Sequence, residues 1–211
     1  MRVELNGTDV SVWYMDFTHK EIAEASAKTN SIDIPLTDGS TDLTELLSGK
    51  VRYKNRQIKI DLEIRAPRHD WPGLISAFQA AYNGKMITVR FSDDTEHFWE
   101  GRASVGPLKD KKATAGITVT VDALPFKREM VEKTMDVTVA ASETVTVLCR
   151  EMRGYPLFYV SADMTVSDGV ETYSLTAAQQ KAYGLEFSKG ENELTFEGSG
   201  TVEIRWREAT L

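Results

Sequence analysis

The 211-residue sequence holds a single cysteine, Cys149, and three histidines. One cysteine excludes an internal disulfide, so stability owes nothing to an oxidising compartment and synthesis in a reducing cytosol is expected. Cys149 stands between Leu148 and Arg150 in a strand-like run, which reads as a buried small apolar residue rather than a reactive thiol. His19, His69 and His97 are isolated and lack the paired spacing of a zinc site, so they read as surface or structural histidines. Long apolar runs are missing too. Nothing approaches the roughly 18 residues of a membrane span, and the opening MRVELNGTDV lacks the apolar core of a signal peptide, so neither insertion nor export by the usual route is expected. Nor is there an excess of positive charge. Residues 1–128 hold 18 acids and 18 bases, and residues 129–211 hold 14 acids and 7 bases, so the net charge of −7 lies wholly in the C-terminal part. That part is unsuited to nucleic acid, whose phosphates call for net Lys and Arg, and the asymmetry marks a domain boundary near residue 128.

What is present is mostly strand. With 41% hydrophobic and 27% charged residues the chain reads as folded and soluble. Ile58, Ile60, Leu62 and Ile64 alternate with Gln57, Lys59, Asp61, Glu63 and Arg65, the period of two that puts one face on a core. The same alternation recurs at Ile117, Val119 and Val121, and at Val202, Ile204 and Trp206. One helix stands out: Asp70 as N-cap, Pro72 in the first turn, an apolar stripe of Trp71, Leu74, Ile75, Phe78 and Tyr82, and Gly84 as C-terminal cap. Such a stripe predicts a helix packed on a sheet. Short helical turns are expected over 42–48 and 176–183. The segment 16–30, poor in large apolar residues after Phe17 and Ile22, reads as a loop or arm. Leu124-Pro-Phe-Lys-Arg-Glu129 reads as the junction of two domains, 1–128 and 129–211.

Asp93, Asp94, Glu96, His97 and Glu100 crowd one short stretch and invite a metal or acid/base reading. Alternating Ile87, Val89 and Phe91 precede it and an aromatic run from His97 follows, so the acids fall at a hairpin tip, where Asp side chains bond their own backbone. Along a strand His97 and Glu100 point to opposite faces, and the spacing of a calcium loop is absent. Gly198-Ser199-Gly200 lacks the five-residue nucleophile elbow and reads as a tight hairpin turn between two strands; no helix and Lys follow it, so it is not a phosphate loop either. No catalytic, cofactor-binding or metal residue is assigned, and no cofactor is expected.

The order of features does resemble a family. Arg56 with the Ile58–Ile64 alternation, the helix from Trp71, the Asn83-Gly84-Lys85 exit, the strand to Phe91, Asp93-Asp94, then Phe98-Trp99-Glu-Gly-Arg102 looks like the N-terminal domain of siphophage distal tail proteins. Lys189-Gly-Glu-Asn192, Leu194, Phe196, Gly198-Ser-Gly200 and Val202-Glu-Ile-Arg-Trp206 resemble their closing hairpin, in which a Gly-x-Asn turn introduces the last strands. The resemblance covers most of the chain. It implies a mainly β fold: an N-terminal sheet or barrel-like domain with one packed helix, then a small C-terminal β-sandwich of galectin-like or carbohydrate-module type. It implies a structural, non-enzymatic component of a long non-contractile phage or prophage tail, made in the host bacterial cytoplasm and placed at the virion's tail tip. The implied partners are copies of itself in a hexameric ring, the tail tube protein and a tail-tip or lysin-type protein, with no membrane and no specific nucleic acid. A rival reading is a monomeric carbohydrate-binding module using Tyr155, Tyr159, Tyr173 or Tyr183, whose commoner role is packing. A hydrolase would need two carboxylates at a set separation, which the sequence cannot place.

Overall fold

A computed structural model of the chain describes residues 1–36, 38–46, 49–110 and 114–211. The chain divides into two compact units, Met1–Pro125 and Phe126–Leu211.

In the first unit β1 is Val3–Leu5, β2 Thr8–Asp9, β3 Met15–Ile22, β4 Ser31–Asp33, β5 Ser40–Asp42, β6 Arg56–Ile64, β7 Met86–Phe91, β8 Asp94–Val105, β9 Lys109–Asp110 and β10 Ala115–Ala123; α1 is Trp71–Tyr82. Antiparallel pairing runs β3-β6-β10-β8-β7-β1, with β2 on β1 and β9 on β10. The alternation read in the sequence is what the register uses. Ile58, Ile60, Leu62 and Ile64 stand opposite Val121, Val119, Ile117 and Ala115, all on the core side.

Helix α1 buries Trp71, Ile75, Phe78 and Tyr82 in the same core, with Leu74 half-buried beside them. Each such side chain removed from water is worth about 1.5–3 kcal/mol, which makes the stripe an anchor of the unit. Trp13, from the 3-10 turn Val10–Trp13, meets the Phe78 ring edge-on at 5.5 Å and donates from Nε1 to the Tyr82 hydroxyl at 3.3 Å. Asp70 departs from expectation. The turn Arg68–Asp70 runs straight into the helix, Asp70 already has helical φ −86 and ψ −16, and its side chain makes no capping bond. At the other end Gly84 takes φ +73 as expected, and its N–H donates to the Ala103 carbonyl at 2.8 Å, tying the helix exit to β8.

Two further expectations for this unit are corrected. Residues 16–22 of the expected arm belong instead to the strand β3, because the period-two pair Met15 and Phe17 packs inward while the backbone finds the open edge of β6. Of the expected arm, residues 23–30 remain outside the strands, tied by a bridge between Ala27 and Tyr53, and the separate two-stranded ribbon β4–β5 follows. Over 42–48, Asp42 belongs to β5. A turn follows, closed by Leu46 N–H to Leu43 C=O at 3.1 Å and Gly49 N–H to Glu45 C=O at 2.7 Å; residues 47 and 48 lie outside the described residues.

In the second unit β11 is Lys127–Glu129, β12 Lys133–Val139, β13 Ser142–Val160, β14 Met164–Ser167, β15 Thr172–Leu175, β16 Ala178–Gln180, β17 Phe187–Gly198 and β18 Gly200–Thr210. The 19-residue β13 changes partner along its length: its first half pairs with β17, its second half with β18. Strand β17 pairs on its other side with β14, which carries β15, and β18 pairs with β12 and β11. Phe158, Phe187, Phe196, Leu175, Ile204 and Trp206 fill the core.

The handover on β13 occurs at a bulge, where residues 150–152 have no partner in the ladder between the pairs Cys149–Gly190 and Arg153–Ser188. The N–H groups of Arg150 and Glu151 donate instead to Oε2 of Glu208, at 2.9 and 3.0 Å. Across the ladder, Asn192 accepts from Ser188 N–H at 2.8 Å and donates to the Ser188 and Gly190 carbonyls. The Gly-x-Asn run is therefore an irregularity inside β17, not a turn between strands.

Gly198-Ser199-Gly200 is likewise no hairpin. Strands β17 and β18 pair with β13 and with β14 or β12, not with each other, so the three residues form a corner at which the chain changes partners. Both glycines are required. Their φ angles are +144 and +149, and a Cβ would stand 2.7 Å from Met164 Cβ at the first and 2.6 Å from Ser161 Oγ at the second. The helix expected over 176–183 is the short strand β16, paired with Phe158–Val160; eight residues cannot sustain a helix without a packed face, and the edge of β13 offers backbone partners.

Candidate functional site

The acidic stretch folds as a tight hairpin, with Ser92 and Asp93 between Phe91 and Asp94. Ser92 is pinned to the N-terminus: its N–H donates to the Arg2 carbonyl and its hydroxyl accepts from Arg2 N–H at 2.8 Å. Asp93 pairs with Lys20 of β3 at 2.5 Å, and the same ammonium lies 4.3 Å over the Phe91 ring. His97 Nδ1 sits 2.7 Å from Asp94 Oδ1, and Glu96 is exposed. The acids thus serve local contacts. Among the described residues no group of three or more His, Cys, Asp or Glu side chains could hold a metal ion. His19 and His69 are exposed. Cys149 is fully buried, and burial followed by the nearby Glu208 carboxylate pushes its thiol up to about 11, so no thiolate nucleophile forms at neutral pH. Among the described residues no helix is long and apolar enough to cross a membrane.

What the fold does expose is surface. The ribbon β4–β5 and its connection carry Ile32, Ile34 and Leu36 in the open, Leu36 at φ +69, and the same segment through Glu45 bears Asp33, Asp38, Asp42 and Glu45 without a single base. A leucine held outward in the left-handed region adds nothing to its own core.

A second surface was hidden from sequence reasoning. The four tyrosines do not converge: Tyr173 lies on β15, bonded to Glu171, and Tyr183 stands exposed after β16. Tyr155 and Tyr159 do share the outward face of β13. Beside them, the register sets Arg207 opposite Tyr155 and Arg205 opposite Leu157. Arg205 lies 4.5 Å over the Tyr159 ring and Arg128 lies 5.4 Å over Tyr155. Nothing in the local sequence ties Tyr155 to Arg207; only strand pairing does.

A buried cation in the first unit was also missed. Arg56 is 8% exposed, stacks 4.7 Å over Trp99, and its Nε has no hydrogen-bond partner among the described residues; burial holds its guanidinium below the usual value.

The sequence matches no protein-family model, and no curated protein matches it. Among solved structures, the crystal structure of the SPP1 Dit (gp 19.1) protein, described as a paradigm of the hub adsorption apparatus in phages infecting Gram-positive bacteria, matches with a TM-score of 0.68 at 15% identity, over 100% of this chain and 99% of that one. A de novo designed double-stranded β-helix overlaps 37% of this chain at a TM-score of 0.25, too low to bear on the fold. The chain therefore has the fold of SPP1 Dit over its whole length, mainly β with one α-helix among the described residues.

Proposed function

We propose that the chain is a structural, non-enzymatic subunit of a long non-contractile phage or prophage tail, self-associating through its first unit into a ring, expected to be hexameric, that joins the tail tube to the tail tip. The observation that carries this reading is the end-to-end fold match to a phage hub protein. Two features support it. A balanced count of 18 acids and 18 bases over residues 1–128 lets copies approach without net repulsion, while the excess of acids beyond residue 128 suits a position at the ring's periphery. The exposed apolar ribbon of the first unit offers a contact that a closed head-to-tail arrangement would bury. The partners of such a ring are the tail tube protein and a tail-tip protein. A monomeric carbohydrate-binding module is the competing reading; Tyr155 and Tyr159 face outward, but a guanidinium lies over each ring, which leaves less aromatic face for a neutral sugar. Mass photometry and negative-stain imaging of the full chain, alone and with its tube partner, separate the two. Closed rings support the proposal, and a strict monomer under all conditions overturns it.

A further inference from the structure

We infer that, within the self-association proposed above, the paired segments flanking the ribbon β4–β5 are a receptor for the acidic face of a second copy's ribbon. Residues 1–128 hold equal numbers of acids and bases, yet over this stretch the signs separate. Residues 31–49 hold Asp33, Asp38, Asp42 and Glu45 and no base, while residues 46–60 hold Lys50, Arg52, Lys54, Arg56 and Lys59 and no acid.

Strand register sorts both sets onto faces. In the ribbon Ser31 stands opposite Asp42 and Asp33 opposite Ser40, so Asp33 and Asp42 share one face, while Ile32, opposite Thr41, lies on the other. Thr44 holds Asp42, its N–H donating to Oδ1 at 2.8 Å. In the flanking segments Ala27 stands opposite Tyr53, and Lys28 N–H donates to the Arg52 carbonyl at 2.7 Å and Lys54 N–H to the Ser26 carbonyl at 2.8 Å. Lys28 is therefore opposite Arg52, and Lys28, Arg52 and Lys54 share one face, all three exposed. Like charges directly opposite on paired strands, with Cβ atoms about 4.5–5.5 Å apart, destabilise the pair. Neither Lys28 nor Lys54 has a carboxylate partner among the described residues.

The ribbon supplies what this face lacks. Asp33 and Asp42 are diagonal neighbours across the ribbon, and Lys28 and Lys54 stand in the same diagonal relation across the flanking pair, so both charge pairs repeat at about 7–8 Å. Within one copy no ion pair joins Lys28 or Lys54 to these acids, so the match is made between copies. Ribbon of one copy on the flanking segments of the next is a head-to-tail contact, the kind that closes into a ring by rotation. Nucleic acid suits the site less, because the four acids of residues 31–49 adjoin the cations in the chain and repel phosphate.

The test uses two charge-reversed full-length chains, one carrying Lys28→Glu and Lys54→Glu, the other Asp33→Lys and Asp42→Lys. All four positions are exposed, so melting is expected to be unchanged. Sedimentation velocity is run at about 0.05 M and about 0.5 M salt, which shortens the reach of exposed charges. The natural chain is expected to associate about tenfold more weakly at the higher salt. Each variant alone is expected to lose association tenfold or more, since both of its surfaces then carry one sign, and the equimolar mixture is expected to regain it, because each ribbon then meets an opposite charge. Variants that associate as well as the natural chain, or a mixture that fails to regain association, overturn the inference while natural rings leave the ring reading standing. A natural chain that stays monomeric in every condition overturns both. Tighter binding of a duplex oligonucleotide than of a second copy, lost in the Lys28→Glu and Lys54→Glu chain, overturns the choice of partner.

Discussion

Lys133 Nζ meets Oε1 of Glu208 at 2.6 Å, and the Glu208 side chain is fully buried. This carboxylate also satisfies the two N–H groups of the β13 bulge, so one side chain from β18 holds β12 and the point at which β13 changes partner. Glu208→Ala leaves the two N–H groups of the bulge without their acceptor and the Lys133 ammonium with Glu129 alone, at 3.2 Å. The expected loss is about 3–5 kcal/mol, read as a shift of the denaturant midpoint at unchanged slope.

The same pair sets a pH window. Burial alone would push the Glu208 carboxyl up, but Lys133 and the two backbone N–H groups outweigh it and hold it below 4.5, its usual value. Its stabilising contribution is therefore complete above pH 4.5 and is lost as pH falls through the lower, folded-state value. Burial likewise pulls Lys133 down, and the bonds to Glu208 and Glu129 outweigh it, raising it above 10.5; its contribution is complete below pH 10.5 and is lost as pH rises through the raised value. The stability difference between the natural chain and Glu208→Gln is expected to be flat between those limits and to shrink on acidification. A difference that instead grew toward acid would contradict the assignment.

Phe78 is fully buried on α1, with Trp13 at 5.5 Å and Tyr82 at 4.9 Å. Phe78→Ala is expected to cost about 3–5 kcal/mol, as truncation of a well-packed aromatic does. Calorimetric melting checks it; an unchanged transition would mean that the helix does not anchor the first unit.

The hairpin tip is expected to bind no ion specifically. Asp93 is occupied by Lys20 and Asp94 by His97. Titration with calcium, zinc and manganese should be flat, and a stoichiometric site removed by Asp93→Ala would refute this.

The ribbon separates stability from assembly. Ile32→Ser and Leu36→Ser touch no core, so melting is expected to shift by less than the equivalent of about 0.5 kcal/mol, while ring formation falls. Normal rings from the double variant would move the subunit contact elsewhere.

Period-two patterning was enough to find the strands at Ile58–Ile64, Ile117–Val121 and Val202–Trp206, because a half-buried strand writes its burial directly into alternate residues. The stripe of α1 and Gly84 at its exit were legible for the same local reason. Cys149, flanked by strand residues, was readable as buried. Partner choice was not legible. Whether residues 16–22 hang free or complete a sheet depends on the open edge of β6, and whether 176–183 coils or extends depends on the edge of β13. Gly198-Ser199-Gly200 looks locally like any tight turn, and only the approach of Met164 and Ser161 makes it a corner. Glu208 with Lys133, Arg56 with Trp99, and the cations around Tyr155 and Tyr159 are long-range meetings. The sequence by itself determined which residues turn inward, since that is set by side-chain chemistry repeated along a local period. The tertiary structure decided which inward faces and which charges meet, since that is set by hydrogen-bond registers between segments that sequence distance does not encode.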